Sequence, residues 1–303
     1  MAKHKTSIGG QALIEGIMMK GPKVTAVAVR KPDGEIDLMT EKTKKNPLSK
    51  IPVLRGIWGF FDSLAGGYRS LMHSADKAMV DEEPDKLEQW LVKHFGKKAS
   101  DYLLMAAGIL GAMLALVLFM VLPTMITGFV DKFISLGAFK AVMEGAVKLI
   151  IFFCYMWGIT FLDDVKRLFM YHGAEHKTIA CYEAEEELTV ENVRRHSRFH
   201  PRCGTSFLFI VIFVSILIFS FIPWTSTFGR VALKLLMLPL VVGIAYEILK
   251  FTGKYDNLLT KILASPGLFF QNFTTKEPDD DMIEVAIKAM NAVIPNSREE
   301  DKW

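Results

Sequence analysis

Four of the chain's seven histidines and two of its three cysteines fall within residues 171–207, YHGAEHKTIACYEAEEELTVENVRRHSRFHPRCGTSF. The sharpest element of this stretch is His172-Gly173-Ala174-Glu175-His176, an H-x-x-E-H pattern. On a helix, positions 172, 175 and 176 fall at about 0°, 300° and 40° around the axis, so all three share one face. Two imidazoles one turn apart can grip a single zinc ion, and the carboxylate between them can poise a water, which is the logic of the inverzincin pattern. A catalytic site of this kind needs a third protein ligand and an open position. The competing reading is a polar helix or loop joining two apolar runs, with no metal at all.

Candidates for the further ligands follow closely. His196, His200 and Cys203 lie among Arg194, Arg195, Arg198 and Arg202. Pro201 pushes His200 towards extended geometry, so His196 and His200 need not share a helical face, and HPRCGTSF is expected to be a turn. Cys203 can ligate as a thiolate or serve as a small buried residue. The arginines can meet anionic lipid headgroups or, through their bidentate forks, a phosphate. Glu183 is close to His176 in sequence, and Glu247, Asp163 and Asp164 are carboxylates at the ends of apolar runs. Glu247 either completes the metal site or forms an ordinary ion pair with Arg167 or Lys250.

These residues must be held by the rest of a 303-residue chain that is 51% hydrophobic with a mean hydropathy of +0.27, yet 23% charged. That mixture predicts membrane spans joined to folded polar segments. A net charge of +3 argues against a nucleic-acid partner. The odd cysteine count predicts free thiols in a reducing compartment. The opening MAKHKTSIGG lacks an apolar core, so a cleaved signal peptide is not expected.

Runs at 102–130, 141–162, 206–224 and 231–249 approach or exceed the about 20 apolar residues that a span requires. The predicted fold is therefore an α-helical integral membrane protein with four transmembrane helices over residues 101–250. Within the second run, Glu144 and Lys148 are one turn apart and are expected to neutralise each other. The 163–205 connection carries Lys166, Arg167, Lys177, Arg194, Arg195, Arg198 and Arg202, against only Lys132, Lys140 and Arg230 in the other two. The positive-inside rule then places this connection and both termini in the cytoplasm of a bacterial inner or plasma membrane. Residues 1–50 hold a glycine-rich segment and a β-hairpin around PDG, giving an α+β N-terminal region. Residues 51–100 are expected to form an amphipathic helix on the membrane or the bundle and a short helix over DEEPDKLEQWLVKHFG. Residues 251–303 read as a tail carrying one helix, with acidic residues at its N-terminus.

The stretches GGQALIEGIMMKGP, HGAEHKTIACYE and HPRCGTSFL, with the order of the four runs, resemble the YqhQ family of bacterial membrane proteins, a domain of unknown function. Leu13, Ile17 and Lys20 stand where valine or arginine is also expected. The resemblance covers most of the chain and implies a predicted metal-dependent enzyme of unassigned substrate. Its glycine-rich opening adds Glu15, the lone acid among apolar residues and glycines, which must be hydrogen-bonded, paired or metal-bound. We expect this segment to fold back and bring Glu15 near His172 or His176. The leading expectation is a zinc-dependent hydrolase, with other divalent metals open, in which Glu175 or Glu15 acts as the base. The alternative is a non-catalytic membrane scaffold or assembly factor with a structural His/Arg loop and a membrane-protein partner. A transporter is disfavoured, because no inverted repeat is visible.

Overall fold

The structure, a computed structural model, describes residues 4–78, 99–223 and 226–301. The chain divides into two compact units, one of Met1–Val80, Met156–Val214 and Pro239–Trp303, the other of Asp81–Tyr155 and Ser215–Leu238.

The first unit opens with an antiparallel meander of β1 (Gly9–Leu13), β2 (Gly16–Lys20), β3 (Val24–Arg30) and β4 (Ile36–Lys42), in that order across the sheet. β3 and β4 are the expected hairpin, closed where Arg30 pairs with Ile36 and Gly34 takes φ +85°. The glycine-rich opening forms a second hairpin. Leu13 pairs with Gly16 across Ile14 and Glu15, and Glu15 holds φ +49°. Since side chains alternate along a strand, the sheet has two apolar faces. Ile17, Met19, Ala26 and Ala28 belong to one core, and Leu13, Met18, Val27 and Val29 to another. Ala78, the last residue of α1 (Leu54–Ala78), packs against the second.

The first face is covered by α5 (Asp163–Glu183), α6 (Val190–Arg195) and α10 (Asp280–Asn291). The 163–205 connection is thus mainly helix rather than loop, and α5 buries Tyr171, Ala174, Ile179 and Cys181. Pro201–Cys203 form the expected turn. The C-terminal segment is not a tail. After α9 (Leu258–Thr274), with an Asn257–Thr260 capping box, α10 buries Met282, Ile283, Val285, Ala286, Ala289 and Met290 in the core. Each large apolar side chain buried there contributes about 1.5–3 kcal/mol. The short helix expected over residues 81–96 lies outside the described residues.

The apolar runs form α2 (Ala99–Leu116), a π-helical turn (Val117–Val121), α3 (Leu122–Asp131), α4 (Lys140–Ile159), α7 (Gly204–Ser220) and α8 (Thr227–Lys254). Among the described residues, the stretches Met105–Asp131, Lys140–Ile159 and Thr227–Lys254 are long and apolar enough to cross a membrane, and Gly204–Ser220 is a shorter apolar helix.

Within the second unit the expected Glu144–Lys148 pair is not formed. Buried Glu144 pairs with Arg230 at 3.1 Å and with Lys234, while Thr124 Oγ1 donates to Glu144 at 2.8 Å and accepts from Lys234 at 2.7 Å. Arg230 also donates to the carbonyls of Ile222 at 2.7 Å and Phe219 at 3.3 Å. The Lys148 ammonium lies 5.6 Å from the Phe219 ring instead. The two cations and the Thr124 hydroxyl together offset the desolvation of the buried carboxylate.

Candidate functional site

The H-x-x-E-H residues sit in the middle of α5, and the segment after α6 folds back on them. Lys177, also on α5, anchors that segment by donating to the carbonyls of Arg194 at 3.1 Å and His196 at 2.8 Å. On the other side the chain leaving α9 runs tight against α5. Lys276 N donates to Phe169 O at 2.8 Å, and a Cβ on Gly173 would fall 2.0 Å from Lys276 O. The glycine of H-G-A-E-H is therefore a packing requirement.

Both imidazoles are oriented by main-chain carbonyls. His172 Nδ1 lies 2.8 Å from Thr274 O, and His176 Nδ1 lies 2.6 Å from Arg198 O. A carbonyl only accepts, so each Nδ1 carries the proton, and each Nε2 is left to act on the opposite side of its ring. His172 Nε2 is 3.2 Å from Cys203 Sγ, and the donor atoms of His172, His176 and Cys203 all lie within 4.8 Å of one another. Two ligands of a tetrahedral zinc ion are roughly 3.5 Å apart, so this spacing suits one ion. A carbonyl accepting from Nδ1 is also the usual way a metal-binding imidazole is oriented and made more basic.

Glu175 projects into the same cavity, of about 340 Å³, with His172, His176, His200, Arg202 and Cys203 in its lining. It is buried, and its Oε2 has no hydrogen-bond partner among the described residues. Gly10 of β1 makes room for it, since a Cβ there would lie 2.8 Å from the Glu175 carboxyl carbon. Burial pushes the Glu175 carboxyl above the usual carboxylate range, against the pull of His172 and His176. Burial alone would raise the Cys203 thiol, yet His176 and His172 hold it well below the ordinary thiol range. His172 answers in kind. Burial lowers it, but Cys203 and Glu175 outweigh burial and raise it to about 9. Thr205 Oγ1 donates to the sulfur at 3.3 Å.

His200 lines this cavity but serves another network. Its ring centroid is 5.7 Å from that of His176, and its Nε2 is 3.5 Å from Glu183, which also pairs with Arg202 and accepts from Thr6 N at 2.8 Å. Glu183 is thus a structural carboxylate rather than a companion of His176. Burial would raise it, but the hydrogen bond from His200 and the charge of Arg202 hold it at about 2. Burial likewise lowers His200, more than Glu183 raises it.

The remaining candidates lie elsewhere. Glu15 pairs with Arg167 and accepts from Tyr171 Oη at 3.1 Å, rather than meeting either imidazole. The premise that it must be paired holds, but its partner is a guanidinium on the outer part of α5. Glu247 is held by Arg55, whose Nε donates at 2.8 Å, and by Val53 N at 3.1 Å. His196 contacts Glu186 at 3.2 Å. With Cys181 these two form a second group of donor atoms within 4.8 Å, but the Cys181 thiol lies against the Glu187 carbonyl at 3.7 Å and burial pushes it up to about 11. Asp163 and Asp164 occupy the first turn of α5, so Asp164 is about 12 Å along the axis from His172. The four arginines also have partners within the protein: Asp280 for Arg194, Glu191 for Arg195, Thr275 and Glu277 for Arg198, and Glu183 for Arg202.

Sequence reasoning missed Gln271 of α9. Its amide clamps the His200 backbone from both sides, accepting from His200 N at 2.8 Å and donating to His200 O at 2.8 Å. A buried glutamine in an apolar helix was the available signal.

A family model described as a protein of unknown function (DUF1385) matches residues 51–296. The Uncharacterized protein YqhQ of Bacillus subtilis (strain 168) is 37% identical over 303 residues, covering 97% of this chain and 95% of its own length. No solved structure matches the chain.

Proposed function

The chain belongs to the YqhQ (DUF1385) family, and we propose that it is a four-span membrane protein that binds zinc through His172, His176 and Cys203 and acts as a metal-dependent hydrolase. One observation carries this reading: two imidazoles with carbonyl-pinned Nδ1 atoms and a low-pKa thiolate converge beside a buried carboxylate oxygen that has no partner among the described residues. Three protein ligands facing an open cavity are the pattern of a catalytic zinc site, whereas structural sites close with four. Bound there, zinc would supply Lewis acidity to a substrate oxygen or water. Glu175 Oε2 would take up and return the proton, a role suited to a carboxyl raised by burial. His200, fixed by Gln271 and Glu183, would border the substrate. The expected base is therefore Glu175 and not Glu15.

The membrane reading rests on hydropathy and on parity. Residues of β2, β3, α5, α6 and α10 share one core, and a core cannot straddle a bilayer. The number of crossings between those segments is then even. Met105–Asp131 pairs with Lys140–Ile159, and α8 needs α7 as its partner. At 17 residues α7 is about 26 Å long, close to the about 30 Å of a hydrocarbon core. The basic residues of 163–205 support a cytoplasmic placement of the shared core and both termini.

Elemental analysis of the purified protein tests the metal. The wild type should carry about one zinc per chain, and His172→Ala, His176→Ala and Cys203→Ala none. Metal-free wild type overturns the reading. One observation favours a second: Cys203 stands at the N-terminus of α7 with His172 Nε2 at 3.2 Å, the arrangement of a thiolate nucleophile and its base. Alkylation of Cys203 by iodoacetamide that zinc does not protect against would favour the nucleophile.

A further inference from the structure

α1 is amphipathic in an inverted sense. Its buried residues are Gly56, Gly67, Ser70 and Ser74, while Leu54, Trp58, Phe61, Leu64, Tyr68 and Leu71 are exposed at helical spacing, Phe61 at 56% and Leu64 at 55%. Such a stripe on a 25-residue helix is the pattern of an element lying in a membrane interface. Its contacts agree with that level. A Cβ on Gly56 would lie 2.6 Å from Tyr246, and one on Gly243 would lie 2.5 Å from Val53, so α1 begins against the C-terminal half of α8, a candidate span.

Behind this helix is a second cavity, of about 680 Å³, that shares Gly9, Gly10 and Gln11 with the cavity of Glu175. Its lining holds Lys20, Lys44 and Arg69 against Glu41 and Asp62. Lys20 is taken up by Asp62 at 2.5 Å. Lys44 and Arg69 have no ion-pair partner among the described residues, and the remaining lining is rich in hydroxyl and amide groups such as Ser49, Ser63 and Asn46. Two cations and the Glu41 carboxylate, none of them ion-paired among the described residues, together with several hydroxyls suit a phosphate joined to a polyol.

We propose that this cavity binds the phosphate-bearing polyol headgroup of an anionic membrane lipid, with Lys44 and Arg69 on the phosphate, Glu41 on a hydroxyl, and the acyl chains along the apolar stripe of α1. The shared wall of Gly9, Gly10 and Gln11 makes such a lipid the substrate class for the His172–His176–Cys203 site, and this last step rests on the hydrolase reading above. The lipid is preferred to a soluble phosphate because Arg69, in the cavity lining, falls about 20° around α1 from Trp58, so the lining borders the apolar stripe.

The test uses full-length protein in neutral detergent, titrated with short-chain phosphatidylglycerol, short-chain phosphatidylcholine and free glycerol phosphate, with zinc measured on the same samples. Phosphatidylglycerol should bind at least about tenfold more tightly than either of the others. Lys44→Gln with Arg69→Gln should weaken phosphatidylglycerol at least about tenfold and leave phosphatidylcholine unchanged. Both side chains are exposed, so the fold should survive, and an unchanged melting midpoint checks it. Phe61→Ser with Leu64→Ser should weaken the lipid and not glycerol phosphate. Equal binding of the two lipids, or binding indifferent to Lys44 and Arg69, overturns the site. Glycerol phosphate binding as tightly as the lipid overturns the membrane source. Zinc-free protein with charge-dependent lipid binding defeats the hydrolase reading and leaves the site standing, whereas zinc-loaded protein with no such binding does the reverse.

Discussion

Two buried clusters of charge in this molecule are built to opposite rules. Glu144 and its partners answer one another: Arg230 and Lys234 meet its two oxygens, Thr124 bridges one of them to Lys234, and two carbonyls take further guanidinium donors. None of these residues lines a cavity described above. Around Glu175 the supporting atoms are satisfied, with both Nδ1 atoms on carbonyls, but the inward atoms are left facing about 340 Å³ of cavity with one carboxylate oxygen unpartnered among the described residues. Burying polar groups is costly either way. A network that closes on itself holds helices together, while one that stops short keeps its free energy for a ligand.

The largest effect expected from that contrast is in the closed cluster. Glu144→Ala strands two buried cations, and the loss of stability should be up to about 5 kcal/mol. Thermal melts of the purified protein, or its yield in the folded fraction, should show this directly, and a wild-type melt would break the comparison. The open cluster should respond to metal instead. With free zinc a thousandfold above its dissociation constant, binding stabilises the wild type by about 4 kcal/mol, so chelator should lower its melting temperature markedly. Cys203→Ala should melt identically with and without chelator. Sensitivity to chelator in that variant would assign the metal to other residues.

The open cluster was half legible in the sequence. His172, Glu175 and His176 are local, and helical periodicity alone puts them on one face. Cys203 lies 31 residues from His172, and nothing in its neighbours distinguishes a ligand from a small buried residue. The atoms that orient the imidazoles are main-chain carbonyls of Thr274 and Arg198, which no side-chain pattern can reveal. The same division runs through the fold. The β3–β4 hairpin announces itself through PDG, whereas β1 and β2 turn on Ile14-Glu15, which lacks the usual Asn-Gly or Asp-Gly signal. α10 has a clear apolar periodicity, but only its partners on β2, β3 and α5 convert a terminal helix into core. Glu144 takes Arg230 and Lys234 from another helix rather than Lys148, its nearest cation in sequence, and sequence spacing does not show which helices meet.

A smaller effect separates the carboxylates of the first unit by pH. Glu183 is held at about 2, below its ordinary value near 4.5, so its stabilising contribution is present above pH 4.5 and is lost as pH falls towards 2. At about 1.4 kcal/mol per pH unit that amounts to about 3 kcal/mol. Urea melts between pH 5 and 3 should show the decline, and Glu183→Gln should flatten it. A slope unchanged in the variant would place the acid sensitivity in other groups and leave Arg202 and His200 without their assigned anchor.

The smallest effect bears most directly on what the open cluster is for. The Glu175 carboxyl is raised, so in metal-free protein its ionisation opposes folding: stability is full below the ordinary pKa and declines as pH rises through the raised one. Glu175→Gln removes that charge while keeping the shape, so metal-free Glu175→Gln should be more stable than metal-free wild type at pH 8, and no more stable at pH 4. Gln still fills the space that Gly10 leaves, and the proposed ligands His172, His176 and Cys203 are untouched, so on the proposed reading zinc content should remain near wild type while any hydrolytic turnover falls at least about a hundredfold. A residue whose removal stabilises the empty protein and disables the loaded one is kept for chemistry. A destabilising Glu175→Gln at pH 8 would instead make Glu175 a structural carboxylate like Glu144, and the contrast between the two clusters would collapse.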